Sequence, residues 1–364
     1  MRLLGEEHLD DLAVGAAILG TGGGGDLYIG KLLAKQAIRE RGPVRLVAPD
    51  EVPDDAVVVP SAMMGAPTVM VEKIPRGDEI IRAFTALQEF LGKEITHTVS
   101  IEAGGLNSTT PFSVAAHMGI PLVDADGMGR AFPEIQMVTP TMYGVSATPM
   151  ALADEKGNAA IIETVDNRWT ERLARSLTID MGCSAMVALY TMDGRMLKEA
   201  MVSGTIGLAE ELGRLIREKR AAHEGAIDAL LDRLNGVRVF TGKIGDVARR
   251  TQTGFARGDA KIEGTGGDEG STLELRFQNE HLVALRDGEI VVSVPDLIIV
   301  LDAETGEPIT TEELRYGFRV TVIATPCDAR WRTEAGLALA GPRYFGYDVD
   351  YVPVEERFGV PRGA

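Results

Sequence analysis

The chain has 364 residues, 45% hydrophobic and 25% charged, with 37 basic against 54 acidic side chains and a net charge of −17. That balance excludes a nucleic-acid or anionic-membrane surface, since both need clustered Lys and Arg. The length exceeds what one core usually fills, so two domains are expected.

In chain order, Leu9, Leu12, Ala13, Ala16, Ala17 and Leu19 keep helical spacing, and a second helix is expected over Leu27–Arg41. Between them runs Gly20-Thr21-Gly22-Gly23-Gly24-Gly25-Asp26. Glycine inside an element costs roughly 0.5–1 kcal/mol relative to Ala, so four in succession ask for a reason other than packing. Without Cβ atoms, backbone N–H groups can converge on a ligand, and the next helix aims its positive end at the same spot. An anionic or carbonyl-rich small molecule is expected there. Gly20, Gly22 and Gly25 also have G-x-G-x-x-G spacing, but that motif should follow a strand and precede an acidic residue by about 20 positions. A helix precedes it here and Asp50 comes late, so a nucleotide loop and a plain flexible turn are the lesser readings.

From residue 44 to about 140, strand-like and helical stretches alternate as in α/β layers. A strand at 57–60 leads into a Gly/Pro loop at 61–67 and a helix over 77–91. A strand at 97–101 ends in a loop at 102–106, followed by a helix over 107–118. A third strand, 121–123, ends in the loop 124–134. Ligands of open α/β sheets bind outside the carboxyl ends of strands, so these loops are the expected site. Helices over 166–180, 205–222 and 226–235 surround a strand at 184–190. After Gly236 the texture turns to β alternation at 237–240, 272–277, 282–285 and 289–292, with turns at Arg286-Asp287-Gly288 and 303–306. The expected fold is an α/β N-terminal domain over 1–165 and an α+β, strand-rich C-terminal domain over 166–364.

Glu102, Asp124, Asp126 and Glu134 would cluster if the three strand-end loops lie side by side, with Asp26 arriving on the glycine loop. Carboxylates crowded in a cleft shift one another's pKa values and suit one for general-base work. They suit a divalent cation equally, and singly each suits a helix cap or turn. The five histidines have no metal-binding spacing; His281, beside Gln278-Asn279-Glu280, is the outside candidate. Cys183 and Cys327 offer neither a disulfide framework nor a zinc knuckle and are expected as small buried residues. The segment from Arg249 to Phe255 looks purposeful, and Asp296, in Val294-Pro295-Asp296, is either a turn or a contact to a ligand between the domains. No G-x-S-x-G elbow or Walker sequence occurs.

Residues 20–28, 61–67, 102–107 and 124–134, with Gly204-Thr205-Ile206-Gly207 and 294–298, resemble the two-domain bacterial family named for S-methyl thiohydantoin desulfurase, over nearly the whole chain. The resemblance implies a hydrolase of hydantoin metabolism. Its substrate is a five-membered ring with an S-methyl isothiourea-like carbon, and its products are the hydantoin and methanethiol. On that chemistry Asp124 or Asp126 is the expected base, with Glu102 recognising ring N–H. Thr21, Gly22, Gly23, Gly24, Gly25 and Asp26 hold ring carbonyl or developing charge. Arg130 and Asn107 take a side-chain carboxylate, and Glu134 and Asp296 complete the substrate contacts. The resemblance fixes no cofactor, and a divalent metal in place of the base, or assisting it, is the candidate. The expected partners are the small-molecule substrate and further copies of the chain. With no apolar run of ~18–20 residues and an acidic N-terminus, the protein reads as cytoplasmic. Two other readings fit the same residues: a hydantoinase- or oxoprolinase-type ring-opening enzyme or subunit, nucleotide-using in one form, and a non-catalytic hydantoin-binding regulator.

Overall fold

Two sheets organise the computed structural model, which describes residues 1–65, 69, 73 and 75–359. Among these residues the main path of the first sheet contains β1 (Arg2–Leu4), β2 (Val44–Val47), β3 (Val57–Gly65), β4 (His97–Ser100), β5 (Leu122–Asp126), β6 (Met150–Ala153), β7 (Ala159–Ile162) and β8 (Ser184–Ala188), and two short strands, Met192–Asp193 and Val202–Ser203, pair with β3 and β5 off that path. The order along the path is β1-β2-β5-β4-β3-β8-β6-β7. The central strands β2, β5, β4 and β3 run parallel, while β8 lies antiparallel on β3 with Met63 opposite Met186. Parallel strands are covered on both faces and read as continuous apolar runs, as Val58, Val59, Val99, Leu122 and Val123 do at 0% exposure.

Helices α1 (Leu9–Leu19), α2 (Leu27–Arg41), α3 (Glu79–Leu91), α4 (Thr110–Met118), α5 (Asn167–Asp180), α6 (Thr205–Ala221) and α7 (Ala226–Leu234) complete this half. The pleat of β3 divides two cores. Val59 and Met63 pack with Phe84 and Leu87 of α3 and Val114 of α4, whereas Val58, Ala62 and Met64 share a cluster with Ala16 of α1 and Leu212 of α6. Asp26 and Asp166 cap α2 and α5, each accepting a backbone N–H three residues on.

Helices α1 and α6 cross at glycines. A Cβ on Gly15 would lie 1.7 Å from the Ala209 carbonyl oxygen, and one on Gly213 would lie 1.8 Å from that of Asp11. Gly213→Ala gains about 1 kcal/mol of helix propensity but forces two backbones apart, and overpacking of this kind costs typically ~1–3 kcal/mol. The variant is therefore expected to unfold at lower urea than the parent. An unchanged midpoint would contradict this close crossing.

The second sheet is antiparallel throughout its described strands: β9 (Val237–Gln252), β10 (Phe255–Gly264), β11 (Thr272–Gln278), β12 (Glu280–Arg286), β13 (Glu289–Ser293), β14 (Leu297–Asp302) and β15 (Arg319–Thr325). They follow the order β13-β12-β11-β10-β9-β15-β14. The chain is thus a two-domain protein with a mixed α/β N-terminal sheet and a strand-rich C-terminal sheet. No helix among the described residues is long and apolar enough to cross a membrane.

Three local expectations are corrected. Residues 61–65 continue β3 instead of forming a loop, because their side chains are buried on both faces of the sheet; Ala66 and Pro67 lie outside the described residues. Strand β5 runs on through Asp124 and Asp126, so both aspartates sit in the strand and not in the loop after it. Strand β9 continues to Gln252, where Thr253 and Gly254, at φ +50° and +81°, turn it into β10. Its outer half is exposed on both faces, so no apolar alternation marks it.

Candidate functional site

Strands β3, β4 and β5 end beside one another, and a cleft opens there. Its walls come from Met63 to Gly65 of β3, Glu102 and Asn107 after β4, the segment after β5, Gly24 and Gly25, Arg175 of α5, and Asn279 and Glu280 at the junction of β11 and β12. Both halves of the chain therefore contribute to it.

The glycine run is needed for packing as well as for its free N–H groups, which corrects the expectation that packing does not explain it. A Cβ on Gly24 would come within 2.3 Å of the Gly104 Cα, one on Gly23 within 2.0 Å of Glu280 Oε1, and one on Gly22 within 2.8 Å of the His281 ring. The loop is clasped from both sides. The Gly24 carbonyl accepts from the N–H groups of Leu106 (3.0 Å) and Asn107 (3.2 Å), that of Thr21 from His281 (2.9 Å), and that of Gly22 from Thr311 (2.8 Å). Thr21 sits at φ +51°, a strained setting for a β-branched residue that persists only when its surroundings enforce it. The N–H groups of Gly24 and Gly25 find no acceptor among the described residues, and both residues line the cleft.

Glu102 is 7% exposed. Its Oε1 accepts from Asn107 Nδ2 at 2.5 Å and its Oε2 from the Phe132 N–H at 3.3 Å. Asn107 is itself fixed, because its Oδ1 accepts from the Met63 N–H at 2.7 Å. Burial pushes the Glu102 carboxyl up to about 7, against the pull of these two donors and with Asp126 adding repulsion. Glu280, 2% exposed, is raised well above the ordinary carboxylate range, first by burial and then by the charge of Glu102, with Arg130 opposing. Its Oε2 has no hydrogen-bond partner among the described residues. The two buried carboxyls of this cleft differ in their donors: Glu102 accepts from two N–H groups, whereas Glu280 Oε2 accepts from none among the described residues.

Most of the other expected residues stand elsewhere. Arg130 is fully buried with its guanidinium occupied: Nη1 donates to the carbonyls of Pro295 (2.8 Å) and Asp296 (2.7 Å), Nη2 to Thr21 Oγ1 (3.0 Å) and the His281 carbonyl (3.3 Å), and Nε to the Ala131 carbonyl (3.1 Å). It ties the glycine loop to the second sheet, and burial lowers it to about 10. The Asp124 carboxylate caps α6, accepting from Ile206 (2.9 Å) and Gly207 (3.0 Å). Asp126 accepts from the Met128 and Gly129 N–H groups and is pushed up to about 7 by burial. Asp296 anchors the C-terminal segment through Tyr351 (2.9 Å), Arg332 (3.0 Å), and the N–H groups of Cys327 (3.0 Å) and Val354 (2.8 Å). Asp26 is the α2 cap. Glu134 lines the cleft and accepts from the Tyr344 hydroxyl at 2.7 Å. Thus the cleft gathers Gly24, Gly25, Glu102, Asn107 and Glu134 from the expected set, and not Thr21, Gly22, Gly23, Asp26, Asp124, Asp126, Arg130 or Asp296.

His281 lies beneath Gly22 with neither ring nitrogen partnered among the described residues, and burial with the Arg130 charge lowers it to about 3. Among the described residues no three His, Cys, Asp or Glu side chains converge to hold a metal ion. Sequence reasoning missed Glu280, Asn279 and Arg175. The first two had a signal: Gln278-Asn279-Glu280-His281 interrupts two apolar strands, yet every one of the four is buried.

Residues 7–164 match the family model described as S-Me-THD-like, N-terminal domain, and residues 165–354 match the S-Me-THD-like, C-terminal domain. Among solved structures, the crystal structure of a structural-genomics target protein from Chromobacterium violaceum is similar, with a TM-score of 0.78 at 25% identity over 97% of this chain and 100% of that one. None of the curated proteins matches the chain.

Proposed function

The chain belongs to the S-Me-THD-like family, both of whose domains it carries, and from that premise we propose that it hydrolyses S-methyl thiohydantoin-type rings to hydantoin and methanethiol. The observation that carries this reading is the buried pair of Glu102 and Glu280 in one cleft. The Glu102 carboxylate takes a proton from water as its oxygen adds to the sulfur-bearing sp² carbon. Negative charge that develops on the ring is met by the free N–H groups of Gly24 and Gly25, and one such donor is worth typically ~10²–10³-fold. The C–S bond then breaks while Glu280 delivers its proton to the departing sulfur. The new hydroxyl gives its proton to Glu280 and the ring nitrogen receives one from Glu102, restoring both groups and leaving the carbonyl. The sum is one water consumed and one methanethiol released. Met63, Met64, Met128 and Phe132 line the cleft and offer a polarisable apolar surface to the S-methyl group.

The pair also fixes the pH dependence. Turnover needs Glu102 ionised, so kcat/KM rises as pH passes through about 7; it needs Glu280 protonated, so kcat/KM falls again at higher pH. The two limbs belong to the coupled pair and not to either residue alone. A pH profile of methanethiol release by the purified protein tests this. A bell is expected, whereas activity that is flat across the neutral range would overturn the assignment.

A further inference from the structure

Among the described residues lining the cleft, Arg175 is the one Lys or Arg. It is 8% exposed. Its Nε donates to Glu171 Oε1 at 2.7 Å and its Nη2 to the Pro133 carbonyl at 3.1 Å, while the contact of Nη1 with the Gly254 carbonyl is stretched to 3.5 Å. A guanidinium has five N–H donors in a planar fork, so two remain for a ligand. The group is also held in place, stacked 4.3 Å from the centre of the Phe255 ring. Phe255 and Gly254 belong to the β9–β10 hairpin turn, whose arginine pair the sequence pattern singles out. In that hairpin Arg250 stands directly across from Arg257, and the Arg257 guanidinium lies 5.9 Å from the same Phe255 ring. Arg175 is thus the one cation built into a cleft that otherwise carries Glu102, Glu134 and Glu280, on a chain of net charge −17, with Arg257 on the far side of the ring that braces it.

A cleft lined by carboxyl groups repels an anion unless a cation is built in to receive it. A braced arginine with spare donors is the side chain suited to a planar carboxylate. We infer that Arg175 anchors a carboxylate carried on a substituent of the ring, with the β9–β10 turn closing that end of the cleft. Arg175 is then a specificity-determining residue and takes no part in the bond changes. The inference rests on the desulfurase reading for the identity of the ring, but the charge preference itself is independent of turnover.

The test compares two hydantoins, one bearing a carboxylate side chain and the other its neutral primary amide, by calorimetry against the wild-type protein. The carboxylate is expected to bind about 10–100-fold more tightly, and Arg175→Gln is expected to erase that difference while the amide binds as before. Arg175→Lys, which keeps the charge without the fork, should fall between. In turnover, the corresponding S-methyl thiohydantoins should differ in KM and not in kcat. Equal affinity of the two hydantoins for the wild type overturns the inference without recourse to any variant. Equal loss of both ligands in Arg175→Gln also overturns it, because Arg175 would then be only a brace. A carboxylate preference without any methanethiol release would sustain the anion subsite and bring down the desulfurase reading.

Discussion

Glu102→Gln is expected to cut methanethiol release by roughly 10²–10⁴-fold, the usual worth of a positioned general base, while hydantoin binding changes little. The two side chains are nearly isosteric, and the amide oxygen can still accept from Asn107 Nδ2. The substitution should not unfold the protein, and the sign of the linkage says why. The folded-state pKa of Glu102 is raised above its ordinary value by burial, so this group's contribution to stability falls as pH rises from about 4.5 through 7. The glutamine variant escapes that loss and should be at least as stable as the parent above neutrality. Asp124→Asn is the informative contrast. Asp124 caps α6, so its replacement should cost about 0.5–2 kcal/mol of stability with turnover nearly intact. Retained turnover in Glu102→Gln, or an equal loss in Asp124→Asn, would sink the assignment.

The second large effect is expected at Gly24. Its φ is +77°, and an added Cβ would lie 2.3 Å from the Gly104 Cα, a backbone atom that cannot swing aside. The left-handed conformation costs a non-glycine residue ~1–2 kcal/mol, and overpacking adds ~1–3 kcal/mol. Gly24→Ala should therefore be destabilised by several kcal/mol in denaturant titration. The same displacement reaches the chemistry, because the Gly24 carbonyl holds the Leu106 and Asn107 N–H groups and Asn107 holds Glu102. A shift of about 1 Å in a catalytic group can cost ~10²-fold in rate, so kcat should fall with stability. Gly42→Ala is the control: its φ is +96° but an added Cβ meets nothing within 4 Å, so only the backbone cost applies. If the two variants behave alike, the close packing of Gly24 against Gly104 is not what the loop requires.

Much of the scaffold was legible in the sequence. The apolar spacing of residues 9–19 marked α1, and α2 spans the expected Leu27–Arg41. The principle that ligands gather at strand ends pointed to the loops from which Glu102, Asn107 and Glu134 line the cleft. What misled was the reading of isolated polar residues near a strand end. Asp124 and Asp126 share a short segment with the fully buried Val123 and Ala125, and a carboxylate capping a helix looks the same in one dimension as a carboxylate facing a ligand. Arg130 is a similar case, since four of its five acceptors lie 109 to 166 residues away in the chain and no local pattern records them. Arg175 carried no such signal: the helical spacing of Trp169 and Leu173 points those two inward, whereas α5 buries Glu171, Ala174 and Arg175 and leaves Trp169 and Leu173 more than 40% exposed. That inversion of the usual amphipathic order turns the polar residues of the helix inward, and only the fold reveals it. Glu280 lies 178 residues beyond Glu102 in the chain, and only the folding of the second sheet against the glycine loop brings them together.

The central claim is that a water activated by the Glu102–Glu280 pair replaces the S-methyl group and leaves the ring closed. The direct measurement is turnover of an S-methyl thiohydantoin in ¹⁸O-labelled water, with the product analysed by mass spectrometry and methanethiol measured in parallel. One ¹⁸O in the carbonyl of an intact hydantoin for each methanethiol released is the predicted result. A ring-opened product carrying the label in a new carboxylate, or a bound ligand that returns unlabelled with its S-methyl group in place, would contradict it.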